Sequence, residues 1–473
     1  MRRALFLAAL VAVSGCASLD PYAEGPVAAS LERDDTVGYC ARLFADVDRR
    51  VDTLGVRDSG NPRVPGFPYL RVDRFSAALA QRVDADAARK AWWTRLAQLD
   101  DEARGAELSN AALDVDDLAR CRVLLAAADA AVFDTLLAAA TVPDDYSMTM
   151  RTFGVYPLTR LPFAAGVARW QADTRATFAA PLETLPVRGK LVRYAVITPE
   201  PAAVKLPAGA DALGVPVLSR FDRTALLIRH APVLEIDVAG EHDRPGTMAL
   251  DAGDRAVVDP ARAVAYTRVA YTLLASEVHL QLVYTFWFSE RPAASAFDVL
   301  AGRLDGLVWR VTLDRDGTPL VYDSIHPCGC FHLFFPTERM RSRPAPDTLD
   351  ETMFSPQAAR VPGPQEAIVL RVEAGSHYLQ RVSVGPRAAA NGYRLDDERR
   401  LTALARPAGG TRSAYGPDGL VAGTERAERW FFWPMGIESS GQMRQWGRHA
   451  TAFVGRRHFD DPLLFDAYFE LRR

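Results

Sequence analysis

Leu307-Val308-Trp309-Arg310-Val311-Thr312-Leu313, followed at once by Asp314-Arg315-Asp316-Gly317-Thr318, is the stretch on which the fold turns. Leu307, Trp309, Val311 and Leu313 alternate with Val308, Arg310 and Thr312, the period of a strand with two faces. The Asp-Arg-Asp-Gly-Thr segment reads as a hairpin loop. Asp-x-Asp-Gly also opens a calcium loop, but the later carboxylate ligands of such a loop are missing here.

Outward from this hairpin the same period recurs. Leu234, Ile236 and Val238 alternate with Glu235 and Asp237, and Ile368, Leu370 and Val372 with Val369, Arg371 and Glu373. Two-faced alternation predicts antiparallel strands with one face in a core. This β-rich part is expected to span 186–473. An irregular surface excursion is expected at about 385–423, where Asn391-Gly392, Gly409-Gly410 and Pro417-Asp418-Gly419 cluster.

Before Pro186 the period is helical. Val37, Cys40, Phe44, Val47 and Val51 form one stripe after the capping candidate Asp34-Asp35; Leu118, Cys121, Leu125, Ala128 and Val132 form another. Phe163, Val167, Trp170 and Phe178 form a third after Pro162, and one or two helices lie between Asp73 and Leu108. Residues 36–185 are therefore expected to be an α-helical domain whose stripes bury one another, and the fold class is α+β.

Composition sets the class of molecule. Of 473 residues, 49% are hydrophobic and 24% charged, as in a folded globular chain. The formal net charge is -3, and the 56 cationic residues are almost all Arg spread along the chain, so no basic patch suggests a nucleic-acid partner.

The first residues carry an address. Met1-Arg2-Arg3 is a cationic start, Ala4 to Val13 an apolar run too short to span a membrane, and Val13-Ser14-Gly15-Cys16 closes the segment. This resembles the signal and lipobox of bacterial lipoproteins. The resemblance covers about twenty residues and implies removal of residues 1–15, acylation of Cys16 (with palmitate among the chains expected), and anchorage by lipid without a span. Residues 16–35 are then the lipidated Cys and a tether. Ala17-Ser18 after the Cys implies the outer membrane, with the protein facing the periplasm.

The remaining four cysteines fall into two pairs. Cys40 and Cys121 lie on helical stripes, where they form either a disulfide or two buried thiols. The second pair sits in His326-Pro327-Cys328-Gly329-Cys330-Phe331-His332. Three readings stand: a zinc or copper site with an outstanding ligand such as His279 or His449, a strained Cys328–Cys330 disulfide, or two packed thiols beside ordinary histidines. Two weaker clusters are the trio Glu277, His279 and Gln281, expected on a solvated strand face, and the segments Gln445 to His449 and Arg456 to Asp461. The latter could bind an anion or hold a general base, or be plain surface charge.

No Gly-x-Ser-x-Gly elbow, His-Glu-x-x-His, phosphate-binding loop or haem-attachment motif is present. Two functions stay open. One is an envelope lipoprotein that binds a ligand or partner; the other is a metal-dependent envelope hydrolase built on His326, Cys328, Cys330 and His332.

Overall fold

A computed structural model describes residues 22–199, 206, 209–344 and 348–472. The signal segment and Cys16 lie outside the described residues. The expected tether ends early: Pro26–Leu31 is a short helix whose Val27 is buried in the helical core.

The helical part follows the stripes. Asp35 caps the helix Thr36–Thr53 by accepting from the Gly38 amide, and Cys40, Phe44, Val47 and Val51 are buried along it. Helices Arg74–Leu79, Asp86–Ala111, Leu118–Asp129, Phe133–Ala139, Met148–Phe153 and Tyr156–Ala179 follow. Cys40 and Cys121 form a disulfide between the packed helices Thr36–Thr53 and Leu118–Asp129, with Cα atoms 5.0 Å apart. Two departures from an all-helical unit occur. Strands β1 (Arg63–Val64) and β2 (Phe67–Arg71) pair antiparallel inside it. Arg71, Asp48, Asp100, Arg104 and Glu107 form a buried ionic network, in which Arg104 bonds Asp48 at 2.8 Å and Arg71 bonds Glu107 at 2.7 Å. Closely matched partners make such burial tolerable; a lone charge there would be costly.

The β-rich part holds β3 (Lys190–Val196), β4 (Val233–Val238), β5 (Thr247–Leu250), β6 (Ala256–Asp259), β7 (Val264–Leu274), β8 (Glu277–Arg291), β9 (Gly302–Leu313), β10 (Pro319–Ile325), β11 (Leu333–Pro336), β12 (Met340–Ser342), β13 (Glu366–Val372), β14 (Leu379–Pro386) and β15 (Asn391–Asp397). One ten-stranded sheet runs in the order β11-β10-β9-β8-β7-β15-β3-β4-β13-β14. The expected hairpin joins β9 to β10, with Arg310 opposite Asp323. Together with the helical part this is an α+β fold.

Three sequence expectations fail in detail. The sheet is mixed: β4 pairs parallel with β13, and β15 pairs parallel with both β3 and β7. Alternation reports two unlike faces and carries no information on strand direction. Glu235 and Arg371, which look like solvated positions, face each other across the β4–β13 pair and bond at 3.2 Å. Residues 385–423 are only partly an excursion, because β15 lies in the middle of the sheet and buries Tyr393. Nor is one face solvated. On β8, β9 and β10 nearly every side chain is buried, since Phe459 packs on Val283, Val308 and Ile325 behind the main core. His279 and Gln281 are accordingly buried rather than solvated, and only Glu277 of that trio remains half-buried.

Candidate ligand-binding site

The segment from His326 to His332 does not run extended; it turns between β10 and β11. The His326 amide donates to Cys330 O at 3.0 Å and the Gly329 amide to His326 O at 2.8 Å. Gly329 has φ +89°, and a Cβ there would lie 2.5 Å from Ala450 O, so both conformation and space demand glycine. Phe331 also adopts a positive φ of 62°. For a bulky residue this is strained, and the fold holds it in place.

The turn sends its two histidines to opposite faces of the sheet. His326 Nδ1 donates to Asp305 on β9 at 3.2 Å, on the side of Leu307 and Trp309. His332 Nε2 donates to Asp323 on β10 at 2.8 Å, where Asp323 also receives Arg310. His279 Nδ1 donates to Leu313 O at 3.1 Å, and His449 Nε2 to Pro327 O at 3.0 Å. No three Cys, His, Asp or Glu side chains come together as a metal-holding group among the described residues. The proposed set His326, Cys328, Cys330 and His332, with His279 or His449, is therefore not gathered. The turn keeps the two thiols together but sends the two histidines apart. Cys328 and Cys330 are both free thiols in the structure.

What the turn does build is the floor of a cavity of about 470 Å³. The helix Tyr156–Ala179 roofs it with Phe163, Val167 and Trp170; Cys328, Cys330 and Phe331 come from the turn; Phe354 and Phe453 arrive from loops and Phe432 from the short helix Arg429–Phe432. The aromatic rings interlock: Phe163 lies 5.2 Å from Phe432, Phe432 is 4.9 Å from Phe453, and Trp170 is 5.4 Å from Phe354 between centroids. The helical stripe Phe163, Val167 and Trp170 thus lines a void instead of filling a core, and Phe178 is the only residue this helix buries.

Few polar groups reach the cavity. Arg457 is bound by Thr451 Oγ1 and by the carbonyls of Glu351, Thr352 and Thr451, and Glu351 accepts from the amides of Phe453 and Val454. Burial pushes the Glu428 carboxyl up to about 7. Gly441 makes room for it, since a Cβ there would meet Glu428 Oε1. The Cys330 thiol is held well above its ordinary pKa, first by its hydrogen bond with Cys328 and then by burial. A neutral thiol is a poor nucleophile and a small apolar surface.

Beside this cavity, under the same helix, lies a smaller chamber of about 300 Å³. Trp170, Phe331 and Tyr378 line both spaces. Phe331 is a partition, 5.6 Å from Trp170 and 4.6 Å from Tyr378. The smaller chamber is the more polar of the two, with Asp173 and Thr177 from the helix, Ser324 and His326 from the sheet, and Glu373 and Gln380 beside it. His326 is fixed there by Asp305, which also receives His377 at 2.8 Å. Burial works against the Asp305 carboxylate, but the two imidazoles hold its pKa well below the ordinary value.

The C-terminal clusters serve the frame. His458 Nε2 lies 3.2 Å from Asp144 and Asp460 lies 3.4 Å from Arg74, so Arg456 to Asp461 ties the helical part to the sheet. In the sequence, Phe163 and Trp170 carry a visible signal, their helical spacing. Glu428, Asp305 and Gln380 carry none.

Fold and site define an α+β protein with two adjoining cavities, the larger one mostly apolar, beneath one helix. The chain matches no protein-family profile, no curated protein and no solved structure.

Proposed function

We propose that this chain is a periplasm-facing, outer-membrane-anchored lipoprotein, lipidated at Cys16, that binds an apolar ligand in the cavity beneath Tyr156–Ala179. The cavity carries the reading. Its volume falls in the ordinary range for small-molecule sites, and its wall of aromatic rings with few polar groups suits a ligand that is mostly hydrocarbon. A packed core would have closed on these rings, since interiors leave few voids larger than water. The anchor rests on the lipobox-like start, and no described helix is long and apolar enough to cross a membrane. The hydrolase reading draws no support from the turn, where the Cys330 thiol is held in its neutral form and the histidines diverge.

Binding of the fluorescent apolar probe N-phenyl-1-naphthylamine to the purified mature protein tests the cavity. Saturable binding is expected, weakened about tenfold or more in Trp170→Ala; absence of saturable binding rejects the assignment. Cys16→Ser is expected to move the protein from the membrane to the soluble fraction of the envelope, and unchanged fractionation rejects the anchor.

A further inference from the structure

We infer that the smaller chamber receives the head of the same ligand, and that this head is a hydrogen-bond donor, foremost a cationic amine, and not a carboxylate or phosphate. This rests on the cavity binding an apolar ligand, and goes beyond it by assigning the ligand's polar end.

Three observations carry it. First, the two spaces adjoin, sharing Trp170, Phe331 and Tyr378, so a molecule with an apolar body in the large cavity reaches the small chamber past a single aromatic partition. Second, the small chamber is rich in acceptors and poor in cations. Asp173, Glu373, Gln380 and Ser324 line it, while no Arg or Lys does. Glu373 has the largely exposed Arg188 3.8 Å away, whereas Asp173 has no cation partner among the described residues. Arg291, which packs on the Tyr378 ring, is already committed to Ser376 O and Tyr378 Oη. Third, Gln380 is only 4% exposed, and its Oε1 has no hydrogen-bond partner. A buried acceptor left without a donor is unfavourable, and a ligand N–H or O–H would satisfy it.

The charge argument sets the order of preference. An ammonium placed among Asp173, Glu373 and the Gln380 carbonyl gains attraction from each. A carboxylate or phosphate placed there meets two like charges instead. A hydroxyl-bearing head satisfies Gln380 without the charge gain and falls between.

The test compares ligands of one chain length on the mature protein, below their micellar concentrations, by displacement of N-phenyl-1-naphthylamine: dodecylamine, 1-monolauroylglycerol, dodecanoate and dodecyl phosphate. Dodecylamine is expected to displace the probe at a concentration at least about tenfold lower than either anion, with the glyceride between. Asp173→Asn, on the exposed side of the helix and so safe for folding, is expected to bring amine and carboxylate together. Gln380→Leu is expected to weaken the amine, while Gln380→Glu, which keeps an acceptor, retains the preference. Equal displacement by all four, or preference for an anion, overturns the head assignment and leaves the cavity standing. Failure of the probe itself to bind overturns both.

Discussion

Two long helices of this chain are built to opposite ends. Asp86–Ala111 buries Ala88, Trp92, Leu96, Asp100, Ala103, Arg104 and Glu107, and its charged residues are locked into the ionic network with Asp48 and Arg71. Tyr156–Ala179 is nearly as long but buries Phe178 alone, carries Pro162 in its interior, and leaves Leu158 and Leu161 exposed. The first helix is held by the fold. The second is laid over a void, and its inward rings meet Phe331, Phe354, Phe432 and Phe453 around that space. Low burial along a helix means low local stability, which is the usual character of an element that must shift to admit a ligand.

The contrast can be broken most directly by one substitution in each helix. Arg104→Met removes the cation that Asp48 and Asp100 share, leaves them only Arg63, Arg71 and Arg122, and is expected to cost about 3 kcal/mol in urea unfolding. Leu161→Ser on the roofing helix is expected to stay within about 0.5 kcal/mol of the parent, and a loss like that of Arg104→Met would show the two helices to be equally integral.

A smaller effect sharpens the picture at the cavity. Glu428 keeps its proton in the folded protein up to about 7, whereas the unfolded chain releases it near the ordinary 4.5. Between these values the folded state holds a proton that the unfolded state has lost, so this group makes stability fall as pH rises, by at most about 3 kcal/mol over the window. Burial lowers His332 and His449 to about 3, which acts in the other direction: stability falls as pH drops below about 6.5, where the unfolded histidines protonate. The difference between the parent and Glu428→Gln isolates the carboxyl. The variant should gain relative stability with rising pH across that window, and a pH-independent difference would place Glu428 in a wetter setting than the cavity wall.

The legibility of this protein varied by element. The β9–β10 hairpin could be read because its alternation and its turn lie within one short stretch. The cap and stripe of Thr36–Thr53 and the stripe of Leu118–Asp129 were equally local, and they placed Cys40 and Cys121 where a disulfide joins two packed helices. β15 was hidden because Asn391-Gly392 is turn chemistry, while its parallel partners β3 and β7 lie far away in sequence. The Cys-x-Cys segment was noticed for its ligand atoms. Its actual work is geometric: Gly329 and Phe331 bend it into a cavity floor.

The sequence by itself determined the periodicities, and with them the main helices and the two-faced strands, though not β1, β2 or β15. It also placed the aromatic side chains that the site uses. Only the tertiary structure decided what those side chains face. Phe163 and Trp170 on a helix, Phe331 on a turn, and Phe432 and Phe453 near the C-terminus come from three separated stretches, and each stretch alone looks like ordinary core. A local pattern records that a side chain is apolar; whether its partner is another side chain or an open cavity depends on contacts between residues far apart in the chain.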